Sequence, residues 1–87
     1  MTILVLARTV DPHRQAEALR AALGLTLRGA HVEVFIDGPL LTPLAERAAA
    51  TLRSFGHTVS SPPASPGTIG GELGPALARA DVVEVWT

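Results

Sequence analysis

The chain has 87 residues, 47 % of them apolar, with a mean hydropathy of +0.33. That length makes one domain, residues 1–87, and the apolar content sets the sequence apart from disordered chains. Seven arginines and no lysine stand against eight acidic residues, a net charge of −1. The arginines run from Arg8 to Arg79 without gathering into a patch, which argues against nucleic acid as a partner. Cysteine is absent, so disulfides, thiolate zinc sites, iron–sulfur clusters and thiol chemistry are excluded. Aromatic residues are limited to Phe35, Phe55 and Trp86, leaving aliphatic side chains and alanine to fill the core.

Ile3-Leu4-Val5-Leu6-Ala7 is a continuous apolar run, the pattern of a strand covered on both faces, and predicts the central strand of a parallel sheet. It is too short to span a membrane and has no basic leader, so the sequence reads as cytoplasmic. Asp11-Pro12 pairs a capping side chain with a residue that needs no N–H, and predicts a helix start. Ala16, Leu19, Leu23 and Leu27, widened by Ala18, Ala22 and Leu25, mark its inner stripe, and Gly29 its end. His31 to Ile36 predicts the second strand, broken by Asp37-Gly38-Pro39.

Thr42-Pro43 repeats the capping pattern and opens a second helix, with Leu44, Ala48, Leu52 and Phe55 on one side before Gly56. His57 to Ser61 is a weak strand, short or at an edge, because Pro62-Pro63 cannot donate to a ladder. Ser60 to Gly71 reads as a long loop, either connector or lid. Leu73, Leu77 and Ala80 predict a short helix with Pro75 in its first turn, and Asp81 to Trp86 a closing β-branched strand. Strands alternating with helices give a three-layer α/β sandwich of about four mostly parallel strands with helices on both faces. Its two edges, one bearing Trp86, predict a homo-oligomer, whether dimer, trimer or hexamer.

In such a sheet ligands bind outside the carboxyl ends of the strands, where this sequence places Arg8, Asp11, His13, Asp37, Gly38, Ser60 and Ser61 as the candidate pocket. The first helix offers free N–H groups to a small anion, flanked by Arg8 and Arg14, but Asp11 reads as a cap that repels one. His13, His31 and His57 match no metal-ligand spacing, and the last two fall at the opposite end of the sheet. Ser60 or Ser61 with His13 and Asp37 or Asp11 makes a hydrolase trio on paper, yet the Gly-x-Ser-x-Gly turn that exposes a nucleophile is missing. Gly67-Thr68-Ile69-Gly70-Gly71 lacks the lysine of a phosphate loop and reads as a connector. The sequence therefore points to no catalytic residue, no metal site and no cofactor.

The run from Ala18 to Gly38, ALRAALGLTLRGAHVEVFIDG, resembles the DsrE/DsrF-like family of small subunits related to the Tus and Dsr sulfur-relay proteins. The closing LARADVVEVW, Leu77 to Trp86, is similar to that family's last helix and strand. The resemblance implies a flavodoxin-like subunit, assembly into trimers or hexamers, and a shallow pocket in which sulfur-carrying members place a reactive cysteine after the third strand. Here that region is Ser60-Ser61-Pro62-Pro63, and serine forms no persulfide. What the resemblance then implies is a binding or scaffold subunit, with or without a separate protein partner. A small enzyme or small-anion binder using the strand ends is the alternative.

Overall fold

The apolar run at the start of the chain forms β1 (Thr2–Ala7), and the remaining elements follow as α1 (Pro12–Thr26), β2 (His31–Ile36), α2 (Pro43–Ser54), β3 (Thr58–Ser60), α3 (Thr68–Arg79) and β4 (Val82–Trp86). The computed structural model describes the backbone of residues 1–60 and 68–87 and the side chains of residues 1–60 and 74–87. Both Pro-led helices start as local chemistry dictates. Asp11 caps α1 by accepting from the backbone N–H groups of His13 and Arg14, and the Thr42 hydroxyl caps α2 by accepting from Ala45. Each helix is followed by a glycine in the left-handed region, Gly29 and Gly56, both with φ +85°, which lets the chain turn back into the next strand.

All strand pairs are parallel, in the order β3-β2-β1-β4, so β1 lies inside the sheet and β3 and β4 are its edges. Strand order runs outward from β1 through β2 to β3 and then jumps back across β1 to β4. Parallel crossovers keep one hand, so reversing direction moves the connecting helix to the other face. The side chains bear this out. Ile3, Val5 and Ala7 pack with Val32, Val34, Ile36 and Val59 beneath α1 and α2, whereas Leu4 and Phe35 pack beneath Ala76 of α3. The result is the three-layer α/β sandwich that the strand and helix periodicities predict, and its arrangement is flavodoxin-like.

Four local expectations are corrected. Leu27, assigned to the inner stripe of α1, is 89 % exposed, because α1 ends at Thr26 and Leu27 lies on its C-cap. The buried stripe of α2 is Ala45, Ala48, Ala49 and Leu52, while Leu44 and Phe55 are largely exposed. Small side chains let α2 lie close to the sheet, and the larger ones beside them are left at its rim. The segment from Thr68 to Gly71, read as loop, belongs to α3, and Pro75 sits inside that helix rather than in its first turn. A central proline leaves one helical carbonyl without its N–H donor, a local cost accepted where packing fixes the helix. Ala76 and Ala80 supply that packing, and Leu77 faces outward.

The corrected core has a direct consequence. Leu19→Ala, at a fully buried position, is expected to destabilise the domain by about 2–5 kcal/mol. Leu27→Ala is expected to stay within about 0.5 kcal/mol of the parent, with urea unfolding midpoints as the readout.

Candidate functional site

The reversal of strand order falls between β1 and β4, so their carboxyl ends flank the crevice where open α/β sheets bind ligands. β1 runs out into Arg8, Thr9 and Val10 and then into the Asp11 cap. The Arg8 amide donates to the Trp86 carbonyl at 2.8 Å, which holds the two strand ends together. Thr9 is buried, and its hydroxyl accepts from the Asp11 amide at 3.0 Å, fixing the approach to the cap. Asp11 Oδ1 then accepts from His13 N at 2.9 Å and Arg14 N at 3.4 Å. The donors that would hold an anion at this helix end are thus occupied by the protein's own carboxylate.

His13 lies on the first turn of α1 with its side chain largely exposed, and its Nε2 is 3.0 Å from Glu17 Oε1 one turn on. The imidazole is directed along the helix toward Glu17. Arg14 extends toward the end of β4, where its Nε donates to the Thr87 carbonyl at 2.8 Å and its guanidinium lies 5.5 Å from the Trp86 ring centroid.

Asp37 and Gly38 follow β2, with the Asp37 amide donating to the Ala7 carbonyl at 2.9 Å and Gly38 at φ +125°. A buried glutamine that sequence reading passed over fastens this loop. Gln15, 1 % exposed, donates from Nε2 to the Pro39 carbonyl at 2.9 Å and accepts the Leu41 amide on Oε1 at 2.8 Å. Its only signal in the sequence is a polar residue on the apolar side of α1, next to Ala16. Ser60 closes β3. Ser61 lies outside the described residues.

The structure thus places Arg8, Asp11, His13, Asp37, Gly38 and Ser60 at the same end of the sheet, as expected. The His13 ring is paired with Glu17, and Asp11 serves the backbone. His31 and His57 sit at the opposite end, their ring centroids 5.5 Å apart, with His57 Nδ1 accepting the Val32 amide at 3.1 Å. Among the described residues no group of three or more His, Asp or Glu side chains is placed to hold a metal ion. Among the described residues no helix is long and apolar enough to cross a membrane.

A second buried polar group lies away from the strand ends. Glu33 in β2 faces α3, is 6 % exposed, and takes Arg79 Nη2 at 2.7 Å on Oε1, while Oε2 has no hydrogen-bond partner among the described residues. This bond ties the last turn of α3 to the sheet. Depressions occur elsewhere. One, of about 350 Å³, is lined by Arg20, Leu23, Gly24, Thr26, Leu27 and Phe55 between the C-terminal ends of α1 and α2. No family model, curated protein or solved structure matches this chain.

The Glu33–Arg79 pair is asymmetric, and its two halves are expected to respond differently. Arg79→Ala strands a buried carboxylate and is expected to cost about 1–3 kcal/mol. Glu33→Met returns a half-exposed guanidinium to water and is expected to cost less than about 1 kcal/mol in the same urea titration.

Proposed function

We propose that this chain is a cysteine-less DsrE/DsrF-like domain that works as a binding or scaffold subunit through its protein surfaces, and is neither a persulfide carrier nor an enzyme. The observation that carries this reading is that polar groups at the strand ends are taken up by the protein's own backbone while large apolar side chains are left open on the surface. At the strand ends the helix N–H groups, the Asp11 carboxylate and the Gln15 amide are all engaged in holding backbone. Large apolar side chains meanwhile lie open: Val10 past the end of β1 is 89 % exposed, Phe55 beside Leu27 is 69 % exposed, and Val82, Val83 and Val85 are exposed along β4. On an 87-residue domain short of aromatic residues, such side chains are the natural anchors for association with protein.

The absence of cysteine supports the same reading, since a persulfide carrier needs a thiolate and Ser60 supplies none. Assembly with further copies, in a soluble cytoplasmic setting, belongs to the proposal.

The test is a titration of the ¹⁵N-labelled protein with phosphate, sulfate and acetate, followed by amide shifts. The expected result is no saturable change at Arg8, Asp11, His13, Asp37, Gly38 or Ser60. Saturable shifts at those positions, with a dissociation constant below about 1 mM, overturn the surface reading in favour of a small-anion site.

A further inference from the structure

The two edges of the sheet are not equally protected. β3 has only three residues, and Arg53 reaches over it, donating from Nη2 to the Val59 carbonyl at 2.8 Å and from Nε at 3.3 Å. Short length and a charged cover are the usual defences of an edge strand. β4 has five residues, Val82-Val83-Glu84-Val85-Trp86, with neither proline nor arginine, and among the described residues nothing pairs with its outer side.

Backbone direction follows from one bond. The Trp86 carbonyl accepts from the Arg8 amide, so Trp86 and Glu84 direct their N–H and C=O toward β1. By the alternation of a strand, Val83 and Val85 direct theirs outward. Side chains alternate as well. Glu84 and Trp86 lie on the α1 face in register with Val5 and Ala7, while Val83 and Val85, 42 % and 54 % exposed, lie on the α3 face beside Leu4 and Leu6.

We propose that β4 pairs antiparallel with β4 of a second copy of this chain, about a two-fold axis through Val85, joining two sheets into one. A two-fold axis normal to the sheet can pass only through a residue, which leaves three registers near the strand centre. An axis at Glu84 sets the two Glu84 carboxylates directly opposite one another, which like charge disfavours. An axis at Val83 sets Asp81 against Val85 and leaves Trp86 unpaired. The axis at Val85 makes Val85 and the partner's Val85 a hydrogen-bonded pair that exchanges both outward backbone bonds, and sets Glu84 opposite the partner's Trp86 in a close, non-hydrogen-bonded pair.

Charge complementarity then selects this register. Arg14 is held over the Trp86 ring and on the Thr87 carbonyl. Glu84 placed across from the partner's Trp86 therefore faces the partner's Arg14, and symmetry repeats the pair on the other side of the axis. On the opposite face Val85 meets the partner's Val85 next to the apolar surface of Leu4 and Leu6, and Val83 lies opposite the partner's Thr87. This inference rests on the surface-binding reading above and names a second copy of the chain as its partner.

Sedimentation equilibrium of the full chain and its variants tests it, with circular dichroism and urea midpoints confirming that each variant is folded. The parent is expected to dimerise. Val85→Lys sets two ammonium groups across the axis, and Glu84→Arg sets a cation against each Arg14, so each is expected to raise the dissociation constant about tenfold or more. Arg14→Glu is expected to do the same, and the Glu84→Arg/Arg14→Glu double variant to return to within about threefold of the parent. A parent that stays monomeric up to about 1 mM overturns the proposal, and so does an oligomer indifferent to all three single variants. Such an oligomer removes the β4 interface while leaving the surface reading intact, whereas only anion binding at the strand ends removes that reading.

Discussion

Burial of β1 on both faces is the constraint from which the rest of the structure follows. Ile3, Val5 and Ala7 are covered by α1 and α2, Leu4 by α3, and β2 and β4 take up both of its hydrogen-bonding sides. A strand with no solvated face and no free edge needs helices above and below and neighbours left and right. An 87-residue chain meets that need in one way: two crossovers outward on one face and one back across on the other. The reversal places the ends of β1 and β4 side by side, with the start of α1 over them.

The same economy leaves surface uncovered. Among the described side chains, Ala76 of α3 and Ala80 just past its end pack over Leu4, Leu6 and Phe35, and Arg79 ties the helix to Glu33. Val83 and Val85 stay largely open along the β4 edge. On the other face α2 packs through alanines, and Phe55 is left beyond its end. Exposed apolar residues at these places are the remainder of a small domain with one helix on its second face. They are also where association has most to gain.

Order and type of the elements were legible because each signal is local. Asp11-Pro12 and Thr42-Pro43 start helices through a single side-chain bond, and Gly29 and Gly56 end them through one dihedral angle. Which residues lie inside was less legible. Spacing alone ranks Leu27, Leu44 and Phe55 with the core, but the first and last stand on helix C-caps and the buried face of α2 is centred on Ala45, Ala48 and Ala49. The start of α3 was hidden by its glycines, which weaken helix propensity without forbidding a helix. At the candidate site the cap role of Asp11 could be read from the sequence, because its partners are two and three residues away. Gln15 and Glu33 could not, since their partners lie 24 and 46 residues distant and only the fold brings them together.

Our central claim is that this protein associates with a second copy of itself through the β4 edge. Amide hydrogen exchange at Val83 and Val85, measured across a range of protein concentrations, tests it most directly, because those two amides point away from the monomer's own sheet. The account predicts that their exchange slows as concentration rises, while the amides of Glu84 and Trp86, bonded to β1 throughout, change little. Fast exchange at Val83 and Val85 at every concentration would contradict it.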